Sequence, residues 1–342
     1  MKPEQSHIES WLAARKSQRA ARNESALLEG LQQGSRAALG QAITLIESSK
    51  PSDQQLAQQL LRSLPQARQL AKRIGITGVP GVGKSTFIET FGLLLVAQGH
   101  KVAVLAIDPS SSRTGGSILG DKTRMERLSQ EPNVFIRPSA AGRTLGGVAK
   151  NTREAIALCE AAGYDIILVE TVGVGQSETL VYGMVDFFLL LMLAGAGDEL
   201  QGIKRGIMEL ADTIVINKAD GANEVAAKAA RSEYASAIHV FSQRADDWQP
   251  RVVCASGLNG TGLTALWSQI EAFFVHMQLN GALQNKRKEQ ELLLFEQLLQ
   301  DFLHQQFFAN ADKKSQYEQL KKELCQGKLL AYEALAALFS EV

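Results

Sequence analysis

The 342-residue sequence contains little of what builds disulfide-linked or nucleic-acid-binding proteins. Its three cysteines, Cys159, Cys254 and Cys325, lie far apart and form no CxxC or Cys/His pattern, so we expect neither a disulfide framework nor a zinc site. The 36 basic and 36 acidic side chains cancel, and this zero net charge argues against a nucleic-acid binder. Only 8 prolines are present, which fits a helix-rich chain with few extended linkers.

The chain also lacks hydrophobic runs of the length that crosses a membrane. Its most apolar run, residues 187–196, is well short of the ~20 residues that a transmembrane helix needs. We interpret this run as a buried strand of a parallel sheet. The first 27 residues are polar and carry no apolar segment of a secretory signal. These absences predict a soluble, cytoplasmic protein that works without a membrane.

Short apolar segments alternate with helical patterns through the central part of the chain. We predict strands at residues 73–77, 102–107, 134–137, 166–170, 187–193, 213–217 and 251–255. Helical patterns lie between most of them, for example at residues 84–98, 147–162, 200–211 and 263–275. Because the strand residues are nearly all apolar, this alternation predicts an α/β fold with a doubly wound, mostly parallel sheet.

Helical sequence flanks this α/β region on both sides. Residues 8–19, residues 37–47 and the leucines at 56, 60 and 64 predict helices before it. After Gly281 the chain is helical again. We therefore predict a helical N-terminal extension (1–70), an α/β domain (71–280) and a helical C-terminal extension (281–342).

The C-terminal extension carries an apolar stripe at helical spacing. The stripe consists of Leu292, Phe295, Leu299 and Phe302, flanked by Gln, Glu and Lys. It can dock on the chain's own core or on a second subunit. Because the stripe is too large to leave in water, we expect a homodimer held partly by this extension.

A glycine-rich loop follows the first predicted strand and precedes an apolar helix. It reads Gly78-Val79-Pro80-Gly81-Val82-Gly83-Lys84-Ser85-Thr86, which matches the phosphate-loop motif G-x-x-x-x-G-K-[ST] in its strand–loop–helix setting. The loop N–H groups and the helix N-terminus form a cradle for anions. Lys84 would reach the β- and γ-phosphates, and Ser85 would bind Mg²⁺. The sequence therefore predicts a P-loop nucleotide hydrolase.

A second motif indicates which base is bound. Asn217, Lys218 and Asp220 form N-K-x-D at the end of a late strand, as in the guanine-specificity motif of GTPases. The Asp220 carboxylate can accept hydrogen bonds from guanine N1–H and the 2-amino group, a donor pair that adenine lacks. Ser256-Gly257-Leu258, after the last predicted strand, would supply a backbone donor to the guanine oxygen. GTP and GDP are the predicted nucleotides.

Carboxylates at other strand ends are candidates for the metal and the attacking water. Asp108 follows a predicted strand and Glu170 ends another, at the edge where α/β sheets bind ligands. The glycine-rich loop 115–124 carries Asp121 and Arg124 as nucleotide-responsive groups. Many GTPases place a water-orienting Gln where this chain has Val174, with Gln176 two residues later. We therefore expect slow intrinsic hydrolysis, or another group that orients the water.

Together these motifs resemble one family, the MeaB/ArgK GTPases, which are bacterial relatives of the human MMAA protein. The resemblance covers residues 34–267 and rests on residues 75–86, 108–111, 120–125, 170–178 and 217–220. It implies a GTPase chaperone that binds an adenosylcobalamin-dependent methylmalonyl-CoA mutase, gates cofactor loading and protects the mutase from inactivation. It also implies a homodimer.

The resemblance assigns further roles. Asp108, Asp121 and Glu170 would be Mg²⁺ or switch carboxylates, and segment 193–204 would be an extra switch that couples the nucleotide state to the mutase. In that reading Lys204 contacts the nucleotide and joins Lys84, Glu170 and Asp121 in catalysis. The chain departs from the family in a glycine-rich run at 192–197 and in Ser256-Gly257, where Ser-Ala is usual.

Three other functions remain open at this point. A metal-insertion GTPase usually carries His- or Cys-rich motifs, whereas the five histidines here are scattered. An ATP-using kinase of a lysine/arginine/ornithine transport system conflicts with the guanine motif. A dimeric scaffold with a vestigial nucleotide site conflicts with the intact Lys84, Ser85 and carboxylates.

Overall fold

The computed structural model describes residues 24–65, 71–107, 125–138, 145–171, 177–195, 205–239 and 246–339. Within them lie the strands β1 (Lys72–Gly78), β2 (Val102–Ile107), β3 (Val134–Pro138), β4 (Ile166–Thr171), β5 (Phe187–Leu193), β6 (Thr213–Asn217) and β7 (Arg251–Cys254). They form one sheet in the order β3-β2-β4-β1-β5-β6-β7, and each neighbouring pair is parallel. The predicted doubly wound parallel sheet is therefore confirmed.

Helices precede, connect and follow the strands. They are α1 (Glu24–Gln32), α2 (Arg36–Ile46), α3 (Pro51–Arg62), α4 (Lys84–Ala97), α5 (Glu126–Gln130), α6 (Leu145–Ala161), α7 (Ser177–Tyr182), α8 (Arg205–Leu210), α9 (Glu224–His239), α10 (Leu263–Leu279), α11 (Ala282–Ala309), α12 (Ala311–Cys325) and α13 (Ala331–Phe339). The predicted helix at 8–19 lies outside the described residues, as does the first part of the one predicted at 200–211.

The strands are apolar throughout because helices cover both faces of the sheet. Val104 and Leu168 belong to a core cluster that also contains Phe87 of α4 and side chains of α10. Leu105 and Val169, the next residues along the same strands, belong to a second cluster. The alternation follows from strand geometry, which sends successive side chains to opposite faces.

The N-terminal helices complete this second cluster. Leu31, Leu39 and Ile43 are buried in it together with Leu158 of α6. Ser35 begins α2 by accepting a hydrogen bond from Ala38 N at 3.3 Å, a typical helix cap. Helices α1 to α3 are therefore part of the layer that covers one face of the sheet.

By its contacts the chain divides into two compact units, Met1–Arg287 and Lys288–Val342. In the second unit Phe308 contacts Tyr317 with ring centroids 5.0 Å apart, and Phe307 contacts Phe339 at 5.2 Å. Asn310 caps α12 by accepting from Asp312 N at 2.9 Å, which sets the break between α11 and α12. These contacts hold the three helices of the second unit to one another.

Within the first unit, the beginning of α11 is bound to the sheet by buried charges. Asp186, fully buried before β5, accepts from Arg287 Nε at 2.8 Å and Nη2 at 2.6 Å. Its carboxylate also accepts from Arg73 N at 3.0 Å. A buried carboxylate needs such partners, since an unpaired charge in the core is very costly.

The strand order places a ligand-binding crevice beside β1. The chain runs from β1 to strands on one side of it and then, after β4, crosses to β5 on the other side. Ligands of open α/β sheets bind outside the carboxyl ends of the strands at such a switch point. In the part of the chain that the structure describes, no helix combines the length and the apolar character needed to cross a membrane.

Candidate nucleotide site

The loop between β1 and α4 has backbone conformations that require glycine. Gly81 and Gly83 have φ of 78° and 90°, a region that side chains disfavour. A Cβ on Gly78 would lie 2.5 Å from the Leu191 carbonyl oxygen of β5. The loop therefore packs directly on the neighbouring strand and leads into the N-terminus of α4, which is the arrangement of an anion cradle.

Lys84, at the first position of α4, reaches back over this loop. Its Nζ donates to Gly78 O at 2.8 Å and lies 3.3 Å from Val79 O. Burial lowers the pKa of Lys84, while the carboxylates of Glu170 and Glu178 act in the opposite direction. An added anion at this loop would favour the charged ammonium further.

Several side-chain oxygen atoms lie close together between the glycine-rich loop and the end of β4. Ser85 Oγ lies 3.4 Å from Glu170 Oε1, and the Glu170 side chain is buried. The hydroxyl oxygens of Thr77 and Thr171 lie 2.8 Å apart on the adjacent strands β1 and β4. Hydroxyl and carboxylate oxygens are the ligands that Mg²⁺ prefers, so the donor set of Ser85 and Glu170 fits that ion.

Asn217, at the end of β6, connects two loops. Its Nδ2 donates to Val82 O of the glycine-rich loop at 2.8 Å, and its Oδ1 accepts from Gly257 N at 3.0 Å. Lys218 follows with φ of 57°, and its Nζ donates to Gly81 O at 2.9 Å. The N-K-x-D segment is thus fixed to the glycine-rich loop by two side chains.

Asp220 meets the segment after β7. The Ser256 hydroxyl donates to Asp220 Oδ2, and Ser256 is fully buried. The backbone N–H groups of Leu258 and Asn259 both lie 3.2 Å from Ser256 Oγ. The structure therefore brings the carboxylate of the first predicted base-reading segment to the backbone donors of the second.

Residues 39–312 match the protein family described as methylmalonyl Co-A mutase-associated GTPase MeaB. This chain belongs to the MeaB family.

Individual relatives agree with the family match. GTPase ArgK of Escherichia coli is 49% identical over 300 residues, which cover 87% of this chain and 91% of the relative. The Mus musculus protein named methylmalonic aciduria type A homolog, mitochondrial, is 46% identical over 313 residues, covering 89% of this chain and 75% of the relative. A solved structure titled LAO/AO transport system kinase has a TM-score of 0.73 and 40% identity, covering 92% of this chain and 96% of that one.

The family and the names of these relatives support a GTP-binding P-loop protein. The predicted resemblance to the MeaB family is confirmed. In the MeaB-family fold of this chain, the glycine-rich loop, Glu170, the N-K-x-D segment and residues 256–258 all lie at carboxyl ends of strands of one sheet. That edge carries every described residue of the predicted site.

Several predicted site residues lie outside the described residues. They are Asp108, Asp121, Arg124, Val174, Gln176 and Lys204. Of segment 193–204, only residues 193–195 are described. The roles given to these residues remain predictions from the family resemblance.

Two residues of this site were missed by the sequence reasoning. Glu178 of α7 is buried, and its carboxylate opposes the burial that lowers the pKa of Lys84. It is the last residue of the motif at 170–178, but the motif gave it no role. Thr90 of α4 lies with its hydroxyl oxygen 2.5 Å from Gly257 O. No sequence pattern indicates Thr90, because its partner lies far along the chain.

Proposed function

We propose that this MeaB-family chain is a GTP-hydrolysing chaperone of an adenosylcobalamin-dependent methylmalonyl-CoA mutase, which gates cofactor loading and protects the mutase from inactivation. The observation that carries GTP binding is the double contact of Asn217, which joins the phosphate loop at Val82 to the base-side loop at Gly257. The mutase partner is supported by the family description and by the residues that this chain shares with it.

Hydrolysis would take place at the phosphate loop. Lys84 would stabilise charge on the β- and γ-phosphates, and Ser85 with Glu170 would hold Mg²⁺, together with Asp108 and Asp121. The metal would supply charge neutralisation and orient the phosphate oxygens. Gly78, Gly81, Val82, Gly83 and Thr86 would contribute backbone contacts to the phosphates.

The base would be guanine. Asp220 would accept from N1–H and the 2-amino group, while Lys218 would lie along the base. The similar solved structure is named a LAO/AO transport system kinase, so an ATP-using kinase is the competing assignment. The contact of Asp220 with the buried Ser256 favours guanine, because adenine has no N1–H and 2-amino donor pair for that carboxylate.

Coupling to the mutase would pass through two glycine-rich segments, 115–124 and 193–204. A mutase that binds the GTP-bound form best could order them and aim Asp121, Lys204 or Gln176 at the γ-phosphate. Linkage then requires that GTP also tightens the mutase complex.

We expect slow basal hydrolysis, on the order of one turnover per minute or less, that rises at least ~10-fold when the cognate mutase is added. Lys204→Ala should lose most of this stimulation and keep the basal rate, because in this proposal Lys204 reaches the γ-phosphate only when the mutase is bound. The measurement is steady-state phosphate release against mutase concentration, with Lys228→Ala as an exposed-lysine control. A mutase that binds at saturation and leaves the rate unchanged would overturn the coupled-switch proposal.

We propose that the second subunit of a homodimer packs on the apolar stripe of α11. Leu292, Phe295, Leu299 and Phe302 are between 44% and 61% exposed in the described chain. Other apolar side chains of α11 extend this exposed surface, namely Leu293, Leu298 and Leu303. A surface of this extent on a helix is typical of an interface between subunits.

We therefore expect a dimer at micromolar concentration for the full-length chain, measured by light scattering coupled to gel filtration. The double variant Phe295→Glu/Phe302→Glu should be monomeric, because it buries two charges at the interface. Leu279→Glu is the matched control, since Leu279 is 85% exposed on α10. A monomeric wild-type chain would contradict the prediction.

A further inference from the structure

The hydroxyl of Thr90 links the phosphate-binding helix to the base-side loop. Thr90 lies on α4, further along the helix than Lys84, and its Oγ1 is 2.5 Å from Gly257 O. The same oxygen is 3.2 Å from Thr86 O, the carbonyl one turn earlier in the helix. A hydroxyl has one proton to donate, and the shorter distance indicates that Gly257 O receives it.

Gly257 permits this contact because it has no side chain. A Cβ at this position would lie 2.8 Å from Phe87 Cα and 3.0 Å from Phe87 N, closer than such atoms approach. The loop therefore packs directly on the backbone of α4, within reach of the Thr90 hydroxyl. Any larger residue would push the loop away from the helix.

The contact fixes more than one carbonyl group. In a planar trans peptide the C=O of Gly257 and the N–H of Leu258 point in opposite directions. Anchoring Gly257 O on α4 therefore directs Leu258 N–H away from α4. That N–H donates to Ser256 Oγ at 3.2 Å, and the same hydroxyl donates to Asp220.

Leu258 contributes through its backbone and not through packing. Its side chain is 77% exposed, so the residue adds little to the core. Its N–H and the Asp220 carboxylate are both partners of the Ser256 hydroxyl and so lie close together. Guanine presents an acceptor, O6, beside the N1–H donor that Asp220 would bind, so the two protein groups match these two neighbouring atoms.

We propose that Thr90 is a positioning residue for guanine recognition: it clamps the Gly257–Leu258 peptide so that Leu258 N–H, which donates to Ser256 Oγ, also donates to guanine O6 when the nucleotide binds. This inference rests on the proposed GTP binding. Thr90 would touch no nucleotide atom and would act only through the orientation of the Gly257–Leu258 peptide. Its removal should therefore weaken the contact to O6 and leave the contacts made by Asp220 and the phosphate loop.

The test compares three nucleotides by calorimetry, using the full-length protein. GDP carries O6 and the 2-amino group, inosine diphosphate keeps O6 and lacks the 2-amino group, and 6-thio-GDP replaces O6 by sulfur, a weak acceptor. The variants are Thr90→Val, which removes the hydroxyl and keeps the shape, and Thr90→Ser, which restores it. Thr44→Val is the matched control, since Thr44 Oγ1 also donates within its helix, to Gly40 O at 2.7 Å.

Thr90→Val should weaken GDP and inosine diphosphate by the same factor, about five- to tenfold, the cost of one hydrogen bond. Its effect on 6-thio-GDP should be under about twofold, because sulfur makes little use of the donor. Thr90→Ser should bind GDP like the wild type, and Thr44→Val should change none of the three affinities.

In a variant that melts like the wild type, an equal loss for all three nucleotides, or no loss for GDP, would overturn the role of Thr90 while leaving GTP binding intact. A wild-type chain that binds no GDP would overturn the proposed function and this inference together. A folding defect would weaken the binding of every nucleotide alike. If Thr90→Val melts well below the wild type, the same three affinities are therefore measured for Thr90→Ala and compared with those of Thr90→Ser, which restores the hydroxyl.

Discussion

Replacing Lys84 with alanine should reduce steady-state GTP hydrolysis at least ~100-fold, the range for losing one group that stabilises the transition state. This factor corresponds to about 2.7 kcal/mol in the activation free energy. The Lys84 ammonium lies over the glycine-rich loop, where it donates to Gly78 O. Neutralising charge on the transferring phosphoryl group is the main catalytic task in such sites.

Loss of Lys84 also removes the cation next to two buried carboxylates, Glu170 and Glu178. A melting curve is therefore measured for each variant beside phosphate release. Lys84→Met, which keeps the apolar stem, serves as a second substitution. Lys228→Ala is the matched control, because Lys228 forms an exposed pair with Glu224 at 2.6 Å that contributes little to stability. Wild-type turnover in folded Lys84→Ala and Lys84→Met would refute the catalytic assignment.

Replacing Asp220 with asparagine should change which nucleotide binds. The wild-type chain should bind GTP and GDP at least ~100-fold more tightly than ATP and ADP, because adenine offers the carboxylate no N1–H and 2-amino donor pair. In Asp220→Asn the side-chain amide meets the guanine 2-amino group with a donor, so guanine affinity should fall. Xanthine carries an oxygen at that position, and xanthine nucleotides should become the preferred ligands.

The substitution leaves the local structure with its hydrogen bonds. The Ser256 hydroxyl donates to Asp220 Oδ2, and the carbonyl oxygen of asparagine can accept the same bond. Asp53→Asn is the matched control, since Ser48 Oγ donates to Asp53 Oδ2 at 2.7 Å away from the site. Calorimetry with GTP, ATP and xanthosine triphosphate measures the outcome. Equal GTP and ATP affinities in the wild-type chain would refute the guanine assignment and favour the transport-kinase alternative.

Much of the fold could be predicted because its signals are local. The strands β2, β5 and β6 begin and end at the residues predicted for them. Runs of apolar residues fix a strand by burial on both faces, which needs no knowledge of distant residues. The boundaries of β7 and α8 were less accurate, since Ala255 lies outside the strand and Ala211 outside the helix. Ends of elements depend on caps and loops more than on periodicity.

The reason for a glycine at position 257 could not be predicted from the sequence. The sequence shows only that Gly257 stands where the family usually has the alanine of Ser-Ala. The structure supplies the reason, because a Cβ there would collide with the backbone of Phe87 in α4. Phe87 and Gly257 lie far apart in the sequence, so no local pattern relates them.

The sequence by itself determined the α/β class, the phosphate loop and the N-K-x-D segment, because each depends on residue types at short spacing. Only the tertiary structure decided that Asn217 joins Val82 to Gly257, that Glu178 acts on Lys84, and that Thr90 reaches the base-side loop. These contacts arise where the carboxyl ends of separate strands meet at one edge of the sheet. Their existence depends on strand order and register, which bring together residues that the sequence keeps far apart.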